Sequence, residues 1–232
     1  MNKIILDEIN SLASEEKAQH LLRFFKTGKG QYGEGDLFLG INVPTLRAIA
    51  KKHFAAVSLD DIQILIENPY HEVRMVSLFM LIFIFKKATN EAKSEIFNLY
   101  LKNVEYINNW DLVDLSAPQI VGSYIFETKN FDAARKLAEA NHLWSNRIAV
   151  VCNWYIIRQN EFGLILELSE KFLHHKHDLM QKAVGWMLRE MGKRDIDPLY
   201  EFLDKHHKVM PRTMLRYSIE KLSPEKRYFY MH

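Results

Sequence analysis

Apolar residues recur at intervals of three and four almost from end to end of this chain, and no stretch sustains an alternation of period two. A half-buried strand requires that alternation, whereas an amphipathic helix requires the three-and-four spacing, so the sequence predicts an all-α fold. Turn chemistry agrees: Gly (9) and Pro (6) are scarce in a chain of 232 residues, at about half the usual share, which tells against sandwiches and barrels. Helices are expected near 3–12, 14–27, 44–54, 58–67, 69–88, 90–102, 107–126, 131–140, 143–159, 162–173, 176–193, 196–206 and 211–221. Ser58 with Asp61 resembles a capping box. Asn68-Pro69 offers an N-cap followed by proline at the first helical position, and Pro44 and Pro211 are placed to do similar work.

The length suits one domain over residues 1–232 with a sizeable core. Hydrophobic residues at 48% and a formal net charge of +2 exclude a disordered chain and a charged tail. Mild basicity permits an anionic partner, and any nucleic-acid site must then be a local patch. One cysteine, Cys152, excludes an internal disulfide framework and a cysteine-rich zinc site. The amino-terminal stretch carries acids inside its apolar run and does not read as a secretory signal. The longest uncharged run, Met75 to Phe85, is too short to span a bilayer. The expectation is a cytoplasmic monomer without membrane association.

Short helices alternate with longer ones, and the longer ones share a core motif. Arg74-Met-Val-Ser, Asp114-Leu-Ser-Ala, Arg147-Ile-Ala-Val, Lys182-Ala-Val-Gly and Arg216-Tyr-Ser-Ile each set a charged residue before apolar and small ones, at intervals of 40, 33, 35 and 34 residues. This is the period of a helical-pair solenoid, whose longer helices would line one concave surface. A row of Arg and Lys on such a surface suits phosphate contacts, and Asp114 within it would need a separate purpose. The same charges could instead pair with one another across adjacent repeats, Arg147 with Asp114 being the obvious pair.

Other motifs carry less. Gly28, Gly30 and Gly33 satisfy G-x-G-x-x-G, but a helix precedes them and no parallel strand surrounds them, so a mobile or DNA-facing loop over Thr27–Gly40 is the better expectation than a nucleotide cradle. His174-His175-Lys176-His177 reads as a solvated helix start, because consecutive residues do not converge on a metal. His71-Glu72 lacks the second histidine of the metalloprotease motif. Cys152, inside an apolar helix, reads as core. Nucleophile elbow, phosphate-binding loop and kinase signatures are absent.

Of the four tryptophans, Trp144 and Trp154 read as packing, while Trp110 lies one turn before Asp114 and Trp186 one turn after Lys182. An indole beside a carboxylate on a basic surface has a chemical logic. The ring face attracts a cation, and the carboxylate stabilises positive charge that develops nearby.

Asn109-Trp110-Asp111-Leu112-Val113-Asp114, Leu143-Trp144-Ser145-Asn146-Arg147, the run Gln181-Lys182-Ala183-Val184-Gly185-Trp186-Met187-Leu188-Arg189-Glu190, and Phe38-Leu39-Gly40-Ile41 together resemble the AlkD-type DNA alkylation repair glycosylases, in order and spacing over roughly residues 15 to 220. The resemblance implies stacked HEAT-like helical repeats and hydrolysis of the N-glycosidic bond of cationic alkylated purines, such as 3-methyladenine and 7-methylguanine, in duplex DNA. It implies no metal and no small-molecule cofactor. Asp114 matches the family's catalytic carboxylate, Trp110 and Trp186 the indoles that pack against the lesion's sugar, Arg147 an essential arginine and Arg189 a DNA-contacting one. Lys182 and Arg74, from the repeated row, and Phe24 complete the expected DNA-facing set. Phe24 stands where the family has a tyrosine, Asp178-Leu179 where it has an aromatic pair, and the glycine-rich loop is longer than in the best-known members. The other reading of a repeat groove is a non-catalytic scaffold for DNA or protein.

Overall fold

The computed structural model describes residues 1–232. No strand is present, and an isolated bridge between Leu37 and Tyr70 is the nearest approach to one. The chain packs as two compact units, Met1–Ser116 and Ala117–His232.

The first unit contains α1 (Asn2–Asn10), α2 (Glu15–Phe24), α3 (Val43–His53), α4 (Leu59–Ile66), α5 (His71–Phe85), α6 (Asn90–Lys102), a 3-10 turn at Val104–Tyr106 and α7 (Trp110–Ser116). Local chemistry sets several starts. Ser58 and Asp61 form the expected capping box, each bonding the other's backbone N–H, and Asn42 caps α3 ahead of Pro44. Asn68-Pro69 departs from expectation: α5 begins at His71, and Asn68 Oδ1 instead accepts the Tyr70 N–H at 3.0 Å, an Asx turn before the helix. α5 is the axis of this unit. It is apolar nearly all round, buried along both faces, and packs against α3, α4, α6 and α7, as a helix without a polar face must.

The second unit runs through a π-helical turn at Pro118–Gly122, then α8 (Ser123–Thr128), α9 (Asp132–Glu139), α10 (Leu143–Val151), α11 (Asn153–Ile157), α12 (Gly163–Lys171), α13 (Asp178–Arg194), α14 (Asp197–His206), α15 (Arg212–Ser218) and α16 (Pro224–Met231). α13, the longest helix, packs against α10, α12, α14 and α15. Its approach to α15 depends on Gly185, where a Cβ would come within 2.5 Å of the Met214 carbonyl oxygen. The expected helix 107–126 is interrupted by the π turn, the expected helix 143–159 divides at Cys152, and α16 was not foreseen, although Ser223 caps it ahead of Pro224. Cys152 and Trp144 are core, as expected, and burial pushes the Cys152 thiol far above its ordinary value. His177 is the N-cap of α13, its Nδ1 accepting the Leu179 N–H at 3.2 Å, so the histidine run is a helix start. No helix is long and apolar enough to cross a membrane.

Four of the five repeated charges fall at one helical register, and Arg74 lies one residue earlier. Asp114, Arg147, Lys182 and Arg216 are each the fifth residue of α7, α10, α13 and α15, and Arg74 is the fourth of α5.

Candidate functional site

In the first unit the candidate residues sit on α7 and the segment below it. Trp110 opens α7 and lies stacked on Phe25, with ring centroids 5.4 Å apart, while the edge of Phe24 approaches it at 6.1 Å. Phe25 stacks on Phe38 at 5.1 Å, and both rings contact the imidazole of His71. An aromatic column therefore supports the indole from beneath, and Phe24, 55% exposed, flanks it. One turn along α7 from Trp110, Asp114 is half-buried.

What holds α7 in place is a buried polar network. His71 Nε2 lies 2.9 Å from Asp111 Oδ2, and its Nδ1 lies 3.4 Å from Asp36 Oδ2. Burial by itself would disfavour the imidazolium, but the carboxylates of Asp111 and Asp36 outweigh it and raise His71 from 6.5 to about 9. Burial likewise works against an ionised Asp36, yet the bonds from His71 and Arg74 hold its carboxyl below the ordinary range. Asn109, itself fully buried, donates to Asp36 at 3.3 Å and accepts the Trp110 backbone N–H at 2.9 Å. The residues on either side of the indole are thus tied to the protein interior.

Arg74 belongs to this network, which corrects its expected place in DNA binding. Its side chain is 4% exposed; Nη2 donates to Asp36 at 2.7 Å and to Asn108 at 3.1 Å, and Nη1 donates to the carbonyls of Asn68 and Pro69. A guanidinium with these bonds inside the protein cannot reach a phosphate without leaving Asp36 buried and uncompensated.

The glycine-rich loop also differs from the mobile loop expected. Its first part, Gly28 to Gln31, is exposed, but Gly33, Asp36, Phe38, Leu39 and Ile41 are buried. The carboxylate of buried Glu72 accepts the N–H groups of Leu39, Gly40 and Ile41 at 2.9, 2.8 and 3.3 Å. Gly40, at φ 82°, is required here, because a Cβ would meet the Ser14 carbonyl oxygen at 2.2 Å. Sequence patterns pass over His71, Glu72 and Asp36: they match no linear motif, and their partners lie more than thirty residues away.

In the second unit, Arg147 on α10 is buried and donates from Nη1 to the Leu179 carbonyl at 2.6 Å. Lys182 Nζ lies 2.6 Å from Asp178, so the aspartate that replaces an expected aromatic residue supplies a countercharge to the repeated lysine. Trp186, one turn further, is half-buried and donates from Nε1 to Glu190 at 3.2 Å. Arg189 is ion-paired with Glu220, which holds the Glu220 carboxyl below its usual range together with Lys221, the larger contributor. Arg216 is exposed on α15. Three successive packed helices thus present Arg147, Lys182 and Arg216, of which Lys182 and Arg216 have access to solvent. No group of three or more His, Cys, Asp or Glu side chains is placed to hold a metal ion.

A family model described as a DNA alkylation repair enzyme matches residues 5–222. Among solved structures, a "predicted DNA alkylation repair enzyme from Enterococcus faecalis" superposes with a TM-score of 0.73 at 16% identity, covering 91% of this chain and 97% of that one, and at such identity the likeness speaks for the fold. A comparison with curated proteins finds no match. With an all-helical fold, the α7 tryptophan-aspartate pair and a family match over nearly its whole length, the chain belongs to the DNA alkylation repair enzyme family.

Proposed function

We propose that this protein is a metal-independent, monofunctional DNA glycosylase that releases cationic alkylated purines, 3-methyladenine and 7-methylguanine, from duplex DNA. The observation that carries the reading is the pairing on α7 of an indole, Trp110, braced by Phe25, with a carboxylate, Asp114, one turn away. Membership of a DNA alkylation repair family supports alkylated DNA as the substrate, and the chemistry of the lesion supports the roles.

Alkylation at a ring nitrogen makes the purine a cation. When the bond from C1′ to the base nitrogen breaks, its electron pair neutralises that charge, so the leaving group needs neither a proton nor a Lewis acid. Positive charge moves to the deoxyribose as an oxocarbenium ion. Asp114 as an anion stabilises this charge and accepts a proton from the water that attacks C1′, and the face of Trp110 adds cation-π attraction. In the second unit, Lys182 and Arg189 contact phosphates, while Arg147, buried and bonded to the Leu179 carbonyl, ties α10 to the start of α13.

The test is release of free base from 7-methylguanine-containing duplex DNA with a chelator present. The wild type is expected to release base, and Asp114→Asn to do so at least about a hundredfold more slowly while binding duplex equally well. Release undiminished in Asp114→Asn removes Asp114 from the chemistry. A wild type that releases neither 7-methylguanine nor 3-methyladenine but binds duplex is a scaffold and not a glycosylase.

A further inference from the structure

We propose that α16, the turn between α14 and α15, and the start of α15 form a second nucleic-acid site, one that grips an unpaired strand by stacking its bases on Tyr228 and Phe229 and pairing its phosphates with Lys208, Arg212 and Arg227. The proposal goes beyond the glycosylase reading and does not depend on it. α16 lies outside the family match, which stops at residue 222.

One face of α16 docks it. Tyr230 is buried, donates its hydroxyl to Asp204 at 2.8 Å and packs on His207, while Arg212 donates to the Met231 carbonyl at 3.0 Å. Tyr228, on the far side of the helix from Tyr230, is 68% exposed, and Phe229, which edges against Tyr230 and His207, is 60% exposed. Tyr228 stacks on His232 at 4.2 Å, which covers one face of each ring and leaves the other for a base. Two open hollows adjoin that stack. One, of about 680 Å³, is lined by His207, Lys208, Arg212 and Phe229; the other, of about 460 Å³, by Arg216, Arg227 and Ile219; Tyr228, Met231 and His232 line both.

Charge selects the occupant. Residues 205–232 hold seven Lys and Arg against Glu220 and Glu225, although the whole chain is only +2, so the remainder is acidic on balance. Glu220 is already engaged by Arg189 and Lys221. Exposed rings interleaved with unopposed cations suit a chain that offers both bases and phosphates. A duplex would use the cations alone, because its bases stay stacked within the helix, and an acidic peptide would leave the ring faces idle; an unpaired strand uses both.

The experiment is fluorescence anisotropy with the full chain and three probes: a short oligothymidylate, the same backbone without bases, and a duplex of equal length. Wild type is expected to bind oligothymidylate at least about tenfold more tightly than the base-free strand. Tyr228→Ala with Phe229→Ala should remove that preference and leave the base-free affinity and the salt dependence unchanged. Lys208→Ala with Arg227→Ala should instead lower the salt slope for the strand by about 1.4, at roughly 0.7 per phosphate. Both pairs are exposed, and an unchanged melting temperature verifies that they fold. Equal binding of oligothymidylate and base-free strand by the wild type, or a ring variant that keeps the preference, overturns the proposal, as does exclusive binding of duplex. Base release from a methylated duplex, measured alongside, should be the same in the ring variant as in wild type; its absence from both bears on the glycosylase reading and leaves the strand result standing.

Discussion

Nε2 of His71 lies 2.9 Å from Oδ2 of Asp111, and this ion pair, buried on the histidine side, joins the central helix of the first unit to the helix that carries Trp110 and Asp114. Asp111 is the residue after Trp110 and three before Asp114, so the pair fixes the rotation of α7 about its own axis. A small rotation there would move both side chains at once.

The pair makes stability depend on pH above neutrality. His71 is raised from 6.5 in the unfolded chain to about 9 in the fold. Its contribution is therefore fully present below about pH 6.5 and is lost as pH rises through 9, a fall on the order of 3 kcal/mol. Urea unfolding at pH 6, 7.5 and 9 should show this decline in the wild type, and His71→Gln should be less stable at pH 6 and flatter with pH. A wild-type curve flat across this range would show that His71 is not held as a cation.

Arg74 and Lys182 open the same repeated motif yet should behave oppositely. Arg74→Ala strips the countercharge from buried Asp36 and should cost about 3 kcal/mol of stability, leaving the salt dependence of DNA binding unchanged in protein that remains folded. Lys182→Ala should cost less than about 1 kcal/mol and reduce the salt slope for duplex by about 0.9. Unfolding curves and binding isotherms at several salt concentrations separate the two.

Arg189 is restrained by a neighbour. Its guanidinium is paired with Glu220, a carboxylate that competes with any phosphate for it. Glu220→Gln should free it, raising duplex affinity severalfold at low salt and steepening the salt slope by up to about 0.9. Unchanged affinity in Glu220→Gln would place Arg189 away from the DNA.

Glu72 tests the loop. Its carboxylate takes three backbone N–H groups from Leu39 to Ile41, and each buried donor left unpaired costs about 1–3 kcal/mol. Glu72→Ala should therefore destabilise by at least about 3 kcal/mol, and proteolysis should begin to cut near Gly40. A variant as stable and as resistant as wild type would mean that the loop is held by its apolar residues alone.

Much of the architecture was legible in the chain itself. Spacing of apolar residues gave an all-helical fold, the Ser58 and Asp61 cap and the Pro44 start were readable because a cap involves residues three apart, and the register shared by Asp114, Arg147, Lys182 and Arg216 followed from a repeat of similar length. The Trp110 and Asp114 pair was readable for the same reason: one helical turn brings them together whatever the rest of the molecule does.

Tertiary structure alone decided which cations remain for a partner. Arg74 and Lys182 look alike in the repeat, but Arg74 meets Asp36 and Asn108, thirty-eight and thirty-four residues away, while the Lys182 ammonium meets Asp178, one turn back on its own helix. Likewise the Asp36, His71 and Asp111 network draws on a loop, a central helix and α7, and the docked face of α16 rests on Asp204 and His207 of a different helix. Pattern within a helix is set by local geometry and is written in the sequence. Burial of a charge depends on which distant segment arrives to compensate it, because an ionised group leaves water only where an opposite charge or dipole already stands.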